Sequence, residues 1–300
     1  MKKCTAFVLG GGGARGALQV GALRALLDAG IVPDLLVGTS IGAANAAGLA
    51  LWGVDNNGLD ALEHAWDESS KAQMLNPRVG QLILRVMVGR PSDQARKKVE
   101  RYFISKGFTQ DLRFDKIASV RLALVSADLQ TGQPVIYGKD PADSVLEGLL
   151  TSVAVPPWFM PLQKNGQMIM DGGALTTLPI EPALRLGATE IFALDLGDNT
   201  MIPKERLTPT QYFDQYLFAS SRRHISLETE LAEEKGVPVR CMNFRGLATM
   251  PIWDFSQQRV LIQAGYDKAQ RMLGEWIYGS HAVPALSVAL AEKQLAQKPI

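Results

Sequence analysis

Leu35-Leu36-Val37-Gly38-Thr39-Ser40-Ile41-Gly42, followed at once by Ala43-Ala44-Asn45-Ala46-Ala47-Gly48, reads as a buried strand that breaks at a sharp turn and resumes as a helix. The short apolar run Leu35–Val37 supplies the strand, and the small residues after Gly42 let a helix pack closely beneath a sheet. Between them lies a G-x-S-x-G pattern. In a strand–turn–helix setting that pattern projects a serine hydroxyl into the open. Gly38 and Gly42 relieve crowding on either side of Ser40, and the helix N-terminus adds positive partial charge beside it. The plain alternative is an ordinary turn with Ser40 as N-cap.

Working outward, Thr5–Leu9 reads as a first buried strand and Gly10–Gly13 as a loop. A helix over Gly16–Ala29 places Leu18, Ala22, Ala25, Leu26 and Ala29 on one face and stops at Gly30. The order strand, glycine loop, helix, strand, turn, helix marks an α/β protein with a mostly parallel sheet. Further strands are expected at Val120–Ala127, Val135–Tyr137, Gln167–Met170, Thr189–Leu194 and Val237–Asn243. Helices are expected at Gly58–Gln73, Asp93–Ile104, Ala142–Leu150, Thr210–Glu234, Gln257–Ile277 and Pro284–Gln297. Val79–Val88 is apolar and reads either as a buried helix or as part of a cap near the site. No repeat or low-complexity linker divides residues 1–300, so one domain is expected, with a pattern-bearing part over about 5–197 and an extension over 198–300.

Thirty-one Lys and Arg against 30 Asp and Glu leave the chain nearly neutral, which argues against nucleic acid as a partner. Lys2-Lys3 before an apolar run superficially resembles a secretory leader, but glycines end the run too soon. With no apolar stretch of spanning length, a cytoplasmic protein is expected, at most peripheral to a membrane. Cys4 and Cys241 lie far apart and read as reduced thiols, and His64, His224 and His281 show no metal-ligand spacing.

Gly11-Gly12-Gly13-Ala14-Arg15-Gly16 fits G-x-G-x-x-G between a strand and a helix. A dinucleotide site would also need an acidic residue at the end of the next strand. Asp34 instead precedes that strand. The alternative is an oxyanion cradle, since successive glycine N–H groups converge on one point. Arg15 is then an anion contact or a structural partner. A serine nucleophile needs a base. The three histidines sit in settings typical of surface or capping residues. Asp171 follows the strand Gln167–Met170 and is backed by Gly172 and Gly173, at a strand end where parallel α/β folds place ligands.

These three elements together resemble the patatin-like phospholipase family, whose pattern is G-G-G-x-[RK]-G, then G-x-S-x-G, then D-G-[GA]. Asp128-Leu129-Gln130-Thr131-Gly132 and the segment Thr151–Pro161 are similar to further family stretches. Met160 departs from the family, which often has proline there. The match covers about Phe7–Gly197. It implies a three-layer α/β/α sandwich and a Ser40–Asp171 dyad with no histidine. It also implies an oxyanion cradle around Gly12 and Gly13, an acyl-enzyme, and no metal or organic cofactor. A lipid or other ester is the implied substrate, with transient membrane contact through an apolar rim. The competing expectations are a Ser-His-Asp hydrolase, a nucleotide-binding module, and an idle lipid- or partner-binding protein.

Overall fold

The computed structural model describes residues 2–72, 93–164, 166–197, 209–247 and 252–278. Within them eight strands form one sheet: β1 (Thr5–Leu9), β2 (Leu35–Thr39), β3 (Arg121–Asp128), β4 (Gln133–Tyr137), β5 (Leu162–Lys164), β6 (Gln167–Asp171), β7 (Glu190–Asp195) and β8 (Val239–Asn243). Their order is β5-β6-β3-β2-β1-β7-β8, and β4 pairs with β3. β1, β2, β3, β7 and β8 run parallel, while β4 and β6 run against β3 and β5 against β6. The sheet is therefore mostly parallel, as the element order predicts.

The helices are α1 (Ala17–Asp28), α2 (Ile41–Trp52), α3 (Asn56–Ala72), α4 (Gln94–Ser105), α5 (Val145–Ser152), α6 (Ile180–Arg185), α7 (Pro209–Glu234) and α8 (Gln258–Tyr278). Side chains alternate along each strand and feed two cores. Phe7, Leu9, Leu36, Leu124 and Leu194 pack beneath α1 to α5 and α8. Ala6, Val8, Val37, Val125 and Ile191 face α6 and the C-terminal part of α7. Helices thus cover both faces of the sheet, the α/β/α arrangement that the family resemblance implies. The apolar run after Lys2-Lys3 is β1, buried along its whole length near the middle of the sheet. Both faces being covered explains why it reads as a continuous apolar run.

Several boundaries differ from expectation for local reasons. β2 continues through Gly38 to Thr39, so the turn begins only at Ser40. The helix expected from Ala142 starts at Val145, because the Ser144 hydroxyl accepts the Glu147 N–H at 3.3 Å and caps it there. α1 is buried nearly all round rather than on one face, and Ala29, beyond its end, is exposed. The reason is α8, which crosses it closely: a Cβ on Gly21 would stand 1.9 Å from the Ile262 carbonyl oxygen. β5 and α6 are short elements without a periodic signal. The expected segments Val79–Val88 and Pro284–Gln297 lie outside the described residues.

Candidate active site

Ser40 occupies the break between β2 and α2. Its φ of 56° is the one positive value at a non-glycine position among the described residues. Such a conformation persists only where the surroundings over-determine it. Two contacts show how. A Cβ on Gly38 would fall 2.4 Å from the Gly42 carbonyl oxygen, and one on Gly42 would fall 2.2 Å from the Leu9 carbonyl oxygen. The Ser40 N–H, lost to the sheet at this turn, donates to the Ser152 hydroxyl at 3.0 Å. That hydroxyl in turn donates to the Val125 carbonyl at 2.6 Å.

β3 brings the second group into place. Val125 pairs with Thr39 of β2 and Ile136 of β4; the next residue, Ser126, pairs with Asp171 of β6 and Val135 of β4. β2 and β6 therefore share one edge of β3 and meet head to head, with β4 on the other. The buried Asp128 carboxylate accepts from the Gln130 N–H, the Thr131 hydroxyl and Gln167 Nε2, each at 2.9 Å. The Gln167 bond ties β6 to β3, and these donors hold the Asp128 carboxyl below its usual range.

Asp171 Oδ1 accepts the Gly173 N–H at 2.7 Å. Oδ2 is shut away from solvent and completes no hydrogen bond among the described residues. Burial pushes this carboxyl up to about 7, against the lowering influence of the Ser40 hydroxyl and the Gly173 N–H. The Ser40 hydroxyl is thus close enough to act on the carboxyl without a well-formed bond to Oδ2. Gly172 lies against β3, where a Cβ would meet the Val125 carbonyl oxygen at 2.5 Å.

The glycine loop can be followed N–H by N–H. Gly10 donates to the Leu194 carbonyl, Gly11 to Thr177 at 2.8 Å, Ala14 to Ile252 and Arg15 to Gly12. Gly12 and Gly13 have no acceptor among the described residues. Gly11 and Gly16 instead bring the loop down onto the Ser40 turn: a Cβ on Gly11 would fall 3.2 Å from Ser40 Cβ, and one on Gly16 would fall 2.5 Å from Ile41 Cγ1. The Arg15 side chain is buried, and its Nε donates to the Gly12 carbonyl at 3.3 Å. In a trans peptide, holding that carbonyl also fixes the Gly13 N–H on the opposite side of the same plane.

A buried polar chain supports the loop from behind. Gln19 Nε2 donates to the Gly10 carbonyl at 2.8 Å. Asn45 Nδ2 donates to the Gly16 carbonyl at 2.9 Å and to Gln19 Oε1 at 3.0 Å. Trp66 Nε1 donates to Asn45 Oδ1 at 2.9 Å. Sequence reading passed over Gln19, Asn45, Trp66, Thr177 and Ser152. Asn45 carried a faint signal, being a lone amide in an alanine-rich helix; Ser152 carried none.

Ser40, Asp171 and the glycine loop open into one cavity of about 660 Å³. His224, on α7, lies on its wall but is solvent-exposed. His64 pairs with Glu68 at 3.1 Å on the surface of α3, and His281 lies outside the described residues. Asp34, the one acid near the ribose-binding spacing, accepts the Thr5 N–H at 2.8 Å. Cys4 and Cys241 are free thiols. Among the described residues no helix is long and apolar enough to cross a membrane.

A family model for patatin-like phospholipase matches residues 7–184. Patatin-like phospholipase domain-containing protein 6 of Homo sapiens is 31% identical over 193 residues, which cover 64% of this chain and 13% of that protein. An uncharacterized NTE family protein of Mycobacterium tuberculosis is 29% identical over 198 residues, 66% of this chain and 31% of that protein. The chain therefore spans a small part of the curated relatives it matches. VipD from Legionella pneumophila aligns with a TM-score of 0.48 and 17% identity over 91% of this chain and 67% of that one.

Proposed function

The chain belongs to the patatin-like phospholipase family, and from that premise we propose that it hydrolyses a lipid carboxylic ester through a Ser40–Asp171 dyad. The observation that carries the reading is the buried Asp171 carboxyl beside the Ser40 hydroxyl, raised to about 7 where a base for a neutral alcohol is most effective. The phospholipase designation of the human relative supports a lipid ester as substrate class.

In this mechanism Ser40 Oγ attacks the ester carbonyl carbon while its proton passes to Asp171. The carbonyl oxygen becomes an oxyanion held by the Gly12 and Gly13 N–H groups, with the positive end of α2 close by. Collapse breaks the ester C–O bond, and the leaving alkoxide takes the proton from Asp171. Water then gives a proton to Asp171 and attacks the acyl-Ser40 carbonyl. The second collapse returns that proton to Ser40 and releases a fatty acid. Arg15 acts through the peptide that carries the Gly13 N–H.

The test is a fluorophosphonate label read by mass spectrometry, with ester hydrolysis measured alongside. The label attaches to Ser40, and Ser40→Ala and Asp171→Asn stay folded while losing hydrolysis. Hydrolysis surviving in Ser40→Ala refutes the mechanism.

A further inference from the structure

The cavity extends well past the reacting atoms, into the space enclosed by α2, α3 and α4. Each helix presents one stripe to it at three- and four-residue spacing. α2 contributes Ile41, Ala44 and Trp52; α3 contributes Leu62, Ala65 and Ser69; α4 contributes Val99 and Phe103, and Lys106 follows directly after its end. The polar atoms on these stripes already have partners inside the protein. Ser69 Oγ donates to the Trp66 carbonyl at 2.9 Å, and the Tyr102 hydroxyl to the Ala65 carbonyl at 2.7 Å. Trp52 Nε1 donates to the Lys106 carbonyl at 3.3 Å, and the Lys106 ammonium is paired with Glu68. Among the described residues of these stripes a guest finds surface but no side-chain hydrogen-bonding group without a partner, which suits a hydrocarbon chain and penalises a sugar or a charged headgroup. The arm towards α7 differs: there Ser221 donates to Thr177 Oγ1 at 2.8 Å, and exposed His224 completes the wall.

The two ends of the apolar arm are carried by one helix. Ser40 caps the N-terminus of α2 and Trp52 is its last residue, so twelve residues separate them. The Trp52 ring folds back over Gly48, where a Cβ would stand 2.9 Å from Trp52 Cζ3, so at 1.5 Å per residue the wall lies about 12 Å from Ser40, the reach of a medium-length acyl chain. The far wall is built by Trp52 and Phe108, whose rings lie 6.0 Å apart, with the Lys106–Glu68 pair beside them. Midway, Ala44 and Ala65 leave the passage open where larger side chains would plug it.

The geometry points to an acyl-chain slot between α2, α3 and α4, in which Ala44 and Ala65 keep the channel open and Trp52 and Phe108 set the longest chain accepted. The acyl half of the ester enters this slot and the alcohol half faces α7. The inference rests on Ser40 as nucleophile and goes beyond it by fixing where the substrate lies and which chains fit.

The test has two arms. In the first, kcat/KM is measured on p-nitrophenyl butyrate, laurate and stearate. Ala65→Phe lowers the laurate-to-butyrate ratio, by roughly fourfold for each methylene shut out and so by ~100-fold for a plug that excludes a few of them. Trp52→Leu moves the preference from laurate towards stearate. In the second arm, cis-parinaric acid is titrated into Ser40→Ala alone and combined with Ala65→Phe. The plugged protein binds at least tenfold more weakly. Should Ala65→Phe fail to fold, Ala44→Leu plugs the same passage. A folded plug variant with unchanged chain-length ratio and unchanged parinarate affinity overturns the slot while leaving the dyad standing. Absent esterase activity with parinarate binding still blocked by the plug overturns the dyad and leaves the slot.

Discussion

Thr39 and Asp171 lie end to end along the same edge of β3, opposite the consecutive residues Val125 and Ser126. One arrives on a strand running with β3, the other on a strand running against it. The Ser40 turn and the Asp171 carboxylate therefore converge because of strand register, with no long loop to hold either. Side chains alternate faces along a strand, so a one-residue slip of β6 would turn Asp171 away from Ser40.

In the proposed mechanism that placement makes ester hydrolysis sensitive to pH in one direction. Asp171 must be unprotonated to accept the Ser40 proton, and its pKa is raised to about 7. We expect kcat/KM on a soluble ester to fall about tenfold for each pH unit below that value and to level off above it. A flat profile between pH 5 and 8 excludes Asp171 as the base.

Stability should run the other way. Asp171 in the unfolded chain titrates near 3.8 and in the folded protein near 7. Between those values the folded state keeps a proton that the unfolded state has lost, so this group's contribution declines as pH rises through 7. Replacing it by Asn removes the penalty. Asp171→Asn should therefore be more stable than the parent at pH 8, by up to about 4 kcal/mol, with the gap closing towards pH 4. Chemical denaturation at the two pH values checks this, and a less stable variant at pH 8 contradicts the raised pKa.

Ser152 connects the strained turn to the sheet through the Ser40 N–H and the Val125 carbonyl. Ser152→Ala leaves both backbone groups unpaired in the interior, at a cost of about 2–3 kcal/mol. With the turn loosened, kcat should fall at least tenfold with little change in KM. Unchanged kcat in a folded Ser152→Ala protein would remove Ser152 from the support of the turn.

Asn45 makes three buried hydrogen bonds at once, to Gly16, Gln19 and Trp66. Asn45→Ala should lower stability by about 3 kcal/mol in urea titration. Asn45→Asp should not rescue it, because the new oxygen would face two acceptors, the Gly16 carbonyl and Gln19 Oε1. Rescue by Asp would mean that the contact with Trp66 alone matters.

The order of elements, the parallel half of the sheet and the placement of Ser40 at a sharp turn and of Asp171 at a strand end were legible because each has a local signature: an apolar run, a glycine-flanked serine, an aspartate closing a strand. The scaffold behind them was not. Gln19 looks like a polar interruption in an apolar helix, yet it carries the Gly10 and Leu194 carbonyls. Ser152 becomes meaningful only when β3 places Val125 beside it. His224 reads as a surface residue and is exposed, but the long α7 carries it to the cavity wall. The stripes of α3 and α4 show helical periodicity, which serves a packed core and a hollow slot equally well; only the neighbouring helices decide between them.

α2 carries the Ser40 hydroxyl at one end and the tryptophan wall at the other. A helix is among the stiffest spacers a protein can use, so the distance between cutting point and backstop behaves like a calibrated gauge. Divergence among homologues can then reset the product spectrum in discrete notches, one helical turn or about 5.4 Å at a time, by enlarging Ala44 or trimming Trp52. Neither change touches Ser40 or Asp171.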